Sequence, residues 1–240
     1  MPYSEPDFRL DGYQAVNDRV ADAFWQHIEL NQDQLMVLAE HHSDDARHSY
    51  YVAHDASVTW GIPGESQIVA LHLQRDAGQR TFRFQSETLP LPAMAQSWLI
   101  ARGCPRTAIA LTDGSGPTPA DDATRSLEDR LLSDGDQFAL LTSYTDDTST
   151  KPATTVLLRA TDEREPQPFR VLLEEVDTDT WTRRLREGRF TTFQDATTWW
   201  ERHWSGDPAP LPTGPPVRQH APLPPRTPPV SSKSLRGPSR

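Results

Sequence analysis

The stretch Asp136–Asp147, Asp-Gln-Phe-Ala-Leu-Leu-Thr-Ser-Tyr-Thr-Asp-Asp, is an apolar run opened by Asp-Gln and closed by Asp-Asp. That pattern predicts a strand held between a helix end and a polar turn. A blurred copy, Asp33–Asp45, lies about one hundred residues upstream. The pair constrains the chain strongly, because it implies one structural unit written twice.

The surrounding residues fill in that unit. Asp11 can cap a helix carrying Val16, Val20, Phe24 and Ile28 on one stripe. Strands are predicted near 34–42, 49–55, 66–75 and 79–88, followed by a helix from Pro92 to Arg102 that Gly103 can end. Asp113-Gly114-Ser115-Gly116-Pro117 has linker composition, and Thr118, Pro119 and Asp121 have the spacing of a helix start. After that helix come strands near 136–145, 153–161 and 168–176, with a weaker one near 180–186. Thr192-Phe193-Gln194-Asp195 is a capping pattern opening a helix rich in Trp. The expected fold is therefore α+β: a tandem duplication of a helix, a four-stranded antiparallel sheet and a helix. The units span 11–112 and 118–204, with 113–117 as linker and 1–10 as a loose arm. Sheets of this kind are expected to have one apolar face covered by both helices, and to meet across a pseudo-twofold axis as a pseudo-dimer within one chain.

Composition matters most after Ser205. Residues 205–240 hold 11 of the 22 prolines and no aromatic residue, too little apolar surface to offset the cost of ordering, so a disordered Pro-rich tail is expected. Residues 1–204 carry 19 basic against 33 acidic groups, a charge that repels phosphate backbones and argues against nucleic acid as a partner. No run of 18 apolar residues and no leader-like start is present, and Cys104 is the only cysteine. With 22 arginines against two lysines, these features lead to the expectation of an acidic cytoplasmic protein from a GC-rich bacterium, without membrane contact.

Residue types that could carry chemistry are few. His41, Asp44 and His48 are candidate metal ligands, although His41 and its neighbour His42 point to opposite faces of a strand. Glu175, Asp177 and Asp179 are candidate catalytic carboxylates within the acidic row from Glu174, since residues two apart on a strand match the separation glycoside hydrolysis needs. No phosphate loop, nucleophile elbow or cofactor motif accompanies them, and no cofactor is implied. Trp98 and Trp199 are candidate partner contacts, with Trp200 and Trp204 assigned to the core stripe. Pro222, Pro225 and Arg226 have the spacing that polyproline-reading modules use. The leading expectation is a non-catalytic interaction or regulatory protein that binds a protein or peptide, with self-association left open. A glycoside-type hydrolase and a metal or small-ligand sensor are the alternatives.

Overall fold

Ten strands and five helices form two five-stranded sheets in a computed structural model that describes residues 5–61, 64–147, 151–207 and 210–212. The first sheet contains β1 (Gln14–Ala15), β2 (Leu35–His42), β3 (His48–Asp55), β4 (Ile68–Asp76) and β5 (Thr81–Leu89). Its helices are α1 (Asp18–His27), the short α2 (Ala56–Gly61) and α3 (Pro92–Ala101). The second sheet contains β6 (Thr118–Pro119), β7 (Phe138–Asp146), β8 (Ala153–Ala160), β9 (Phe169–Asp177) and β10 (Thr182–Phe190), with α4 (Asp122–Leu131) and α5 (Phe193–Trp204).

Four antiparallel strands per unit were expected, and each sheet has a fifth. The strand orders are β1-β5-β4-β3-β2 and β6-β10-β9-β8-β7, the added strand lying parallel to its neighbour at one edge. Residues 118 and 119, expected to open a helix, are that strand; the cap is Asp121, whose carboxylate accepts the Thr124 N–H at 2.7 Å. Asn17, not Asp11, plays the same part for α1 by accepting from Val20 N–H. Thr192 caps α5 where its sequence pattern placed it. The arm is not loose over residues 5–10. Phe8 is buried edge-on against Phe24 and Tyr51, and the Arg75 guanidinium holds the Phe8 and Arg9 carbonyls.

Alternation along the strands shows how the sheets are covered. In β3, Tyr50 and Val52 pack with Ala95 and Leu99 of α3, while Tyr51 and Ala53 pack with Phe24 of α1. In β8, Val156 and Leu158 pack with Leu127 and Leu131 of α4, while Leu157 packs with Ala196 and Trp199 of α5. Each sheet thus has a helix on both faces rather than two helices on one. Leu91 and Ala93 of the α3 region join the α4 core, so the layers run α1, first sheet, α3 with α4, second sheet, α5. The units stack head to tail; the pseudo-twofold contact expected above is not what forms. The reason is local: β3, β4, β8 and β9 are buried on both faces, which demands cover on each side.

Among the described residues no helix is long and apolar enough to cross a membrane. Beyond Asp207, only residues 210–212 are described. Leu211 packs beside Gly188 and Trp199, and the Arg189 N–H donates to the Pro212 carbonyl at 3.4 Å. Pro222, Pro225 and Arg226, with the rest of the expected tail, lie outside the described residues.

Candidate functional site

The stacking leaves space between the sheets. A cavity of about 400 Å³ lies under α3 and α4, and one of about 330 Å³ lies between the β2–β4 side of the first sheet and β8–β9 of the second. They share Pro92, Leu111, Glu174 and Arg183. The linker is part of this wall, since Ser115, Gly116 and Pro117 line the second cavity. Its far end is closed by contacts between units: Ser66 Oγ to Ser143 Oγ at 3.0 Å, and Gln67 Nε2 donating to Asp147 at 2.7 Å. Gly64, at φ +90°, lies against the Tyr144 ring, where a Cβ would come within 2.6 Å. His54 shares a hydrogen bond with Gln67 at 3.2 Å, and burial lowers its pKa, favouring the neutral ring.

Glu174 is the unusual group. It projects from the inner face of β9, on the same side as Leu172 and opposite Leu185 and Thr154 in the ladder. Burial pushes its carboxyl up to about 7, with Arg183 opposing the shift. Arg183 does not pair with it directly. Its Nε donates to Glu128 at 2.5 Å and its other nitrogen to the Pro117 carbonyl.

The carboxylates expected to act together are spread apart. Glu175 points to the α5 face and pairs with Arg186. Asp177 ends β9 and accepts the N–H groups of Asp179 and Thr180 at 3.0 and 3.1 Å, a turn role, and Asp179 lies exposed in that turn. Glu174 faces the space between the sheets, whereas Glu175 lines a cavity of about 320 Å³ on the α5 side with Trp199 and His203; the two differ only in strand phase. Sequence alone gave no way to say which of the two pointed inward.

The histidines are also regrouped. His41 and His48 each stack near Tyr50, and His48 Nδ1 lies 3.0 Å from His72 Nε2, while Asp44 is exposed in the β2–β3 turn. Burial, with His48 adding to it, pushes His72 down to about 4. Among the described residues no three His, Cys, Asp or Glu side chains are arranged to hold a metal ion. Cys104 is buried and its thiol is pushed up to about 12, an inert state.

The tryptophans divide differently from expectation. Trp199 is buried and stacks on His203 at 5.0 Å, whereas Trp200 and Trp204 are half-buried and Phe193 is 51% exposed. One face of α5 therefore turns by about a residue from the stripe read in sequence. Trp98 is half-buried with Arg102 stacked 3.4 Å over its ring, and it lines a 220 Å³ groove beside Leu140.

That groove adjoins β7, an edge strand. From Ala139 to Thr142 every residue of β7 is exposed, including Leu140 at 38% and Leu141 at 43%. A register shift leaves Leu141 out of the ladder with β8. The corresponding edge of the first sheet, β2, is covered: the turn Arg106–Ile109 packs on it and Thr112 N–H donates to the Leu38 carbonyl. The chain matches no protein-family model, no curated protein and no solved structure.

Proposed function

We propose that this is a non-catalytic binding protein of two related α+β modules that takes up an extended segment of a protein partner along β7. The observation that carries the reading is the β7 edge from Ala139 to Thr142, which no described element covers and on which Leu140 and Leu141 are exposed. An open, apolar edge strand is a template for another strand, and proteins normally cover or charge such edges. Beside it, Leu89, Met94, Trp98 and Phe138 offer a groove for alternate side chains, and Glu87 and Asp136 line the same groove with acid, Asp134 being paired with Arg170. An apolar segment flanked by basic residues fits this chemistry.

The kinship of the modules is part of the proposal. A tandem duplication is supported by the shared strand order and by the register shifts at Leu38 and Leu141. It is also supported by matching turns, where Asp76 and Asp177 accept backbone N–H groups and Arg80 and Trp181 have φ of 53° and 52°.

Selection of a random peptide library on the purified protein is expected to recover alternating apolar sequences with flanking Arg or Lys. The double substitution Leu140→Asp with Leu141→Asp should weaken the selected peptides by more than about tenfold, as loss of central apolar anchors does. Phe193→Asp, on a distant exposed apolar residue, should leave them bound. If binding is insensitive to the β7 substitutions, or if β7 is occupied by a second copy of the chain in solution, the reading fails.

A further inference from the structure

The cavity beside Glu174 lies between the sheets, and Leu140 and Leu141 are not among its lining residues; that lining is chemically lopsided. Met36, Leu38, Ile68 and Val176 make an apolar wall, and Trp181 lies at 49% exposure on its rim. Trp181 sits in the β9–β10 turn at φ +52°, the backbone that Arg80 adopts at φ +53° in the matching turn of the first sheet, so the turn itself sets where this indole stands.

The charges in the cavity do not balance. Arg183 is its cation among the described lining residues, and it is engaged by Glu128 and the Pro117 carbonyl. His54 is kept neutral by burial. Asp147 accepts from Gln67, and the Glu174 carboxyl has no hydrogen-bond or ion-pair partner among the described residues. A carboxyl turned into an apolar space without a partner is costly, and a cation arriving from solution would relieve that cost.

The first sheet shows what this position looks like without the feature. Glu174 is the sixth residue of β9, and the sixth residue of β4 is Leu73, fully buried against the α1 core. Arg183 is the second residue of β10, where β5 has buried Phe82. The same two places hold a plain apolar core in one unit and a carboxyl and a guanidinium facing a cavity in the other.

We infer that the 330 Å³ cavity is a binding site for a small primary amine with an apolar body, the ammonium paired with Glu174 and the body lying between Met36, Val176 and Trp181. Its volume suits a compact ligand of this kind at the small end of the usual range of about 300–1,000 Å³. The acidic charge of the whole chain favours the approach of a cation.

Calorimetric titration at pH 8 with phenethylamine, phenethyl alcohol and phenylacetate separates charge from apolar contact. Phenethylamine is expected to bind about tenfold or more tightly than the alcohol, with phenylacetate weakest, as a charge-assisted hydrogen bond implies. Glu174→Gln should abolish the preference of amine over alcohol. Trp181→Ala, on a half-exposed side chain at the rim, should weaken both ligands alike and leave their ratio unchanged. The Leu140→Asp, Leu141→Asp protein should bind phenethylamine normally, so failure of the peptide reading would not be mistaken for failure of this one. Equal binding of amine and alcohol, a preference that survives Glu174→Gln, or no binding of any of the three would overturn the inference.

Discussion

Replacing Arg170 with alanine is expected to destabilise the protein by about 3–5 kcal/mol, the range for breaking a buried ion pair from one side. Arg170 is 5% exposed, with its guanidinium 2.5 Å from Asp134 and 2.7 Å from Glu187, and stacked 3.7 Å over Phe138. Burial already raises the Asp134 pKa against the opposing pull of Arg170. Without that cation, two half-buried acids lose their shared partner and Phe138 loses the group packed on its face. Arg130 and Arg189 still reach Glu187, at 2.8 and 3.2 Å, which limits the loss to the lower part of the range. Urea denaturation should show a lower midpoint with an unchanged slope. Arg125→Ala, which removes an exposed pair with Asp122 one helical turn away, should change stability by less than about 0.5 kcal/mol. A cost below about 1 kcal/mol for Arg170→Ala would mean that the network is not a support of the second sheet.

The second large effect has the opposite sign. Glu174→Gln should stabilise the protein, and by more as pH rises. The folded-state pKa of Glu174 is about 7 against an ordinary 4.5, so the folded protein holds this proton more tightly than the unfolded chain. Below pH 4.5 both states are protonated and the carboxyl carries no penalty. Between there and pH 7 the unfolded chain gives up the proton first, so stability falls as pH rises, and above pH 7 the loss is complete. The full shift is worth up to about 3 kcal/mol, part of which a buried glutamine amide would give back, leaving a gain of about 1–3 kcal/mol at pH 8. Denaturation of both proteins at pH 5 and pH 8 isolates the group, because His54, His72 and Asp134 titrate equally in each. A stability difference that stays flat across that interval would show that Glu174 ionises freely.

Much of the architecture is legible in residue order. The apolar runs near 34–42 and 136–145 are strands within a residue or two, and the short run near 180–186 is the start of β10, paired with β9 along its whole length. The parallel edge strands were hidden because each is two residues long, Gln14–Ala15 and Thr118–Pro119, too short to carry a periodicity. The layering was hidden for a different reason. Tyr50-Tyr51-Val52-Ala53 is buried without a break, a signature of a strand covered on both sides, but the alternation of Phe82 and Phe84 with Arg83 and Gln85 in β5 points to one polar face. Glu174 could not be told from Glu175, since the pair sits between Leu173 and Val176 and only the phase against Leu172 separates them. The ion network around Arg170 pairs residues 36 and 57 positions apart, Arg170 with Asp134 and Arg130 with Glu187, and nothing local announces it.

A joint made of two unlike surfaces has a consequence for how the molecule can change. In a twofold contact between two copies of one chain, every substitution appears on both sides at once, so a charge placed there meets its own image. Here the α3 surface and the α4 surface belong to different parts of the chain, and a carboxyl introduced at position 174 faces no second carboxyl across the seam. One flank can therefore acquire polar or reactive groups while the other keeps the apolar contacts that hold the layers together.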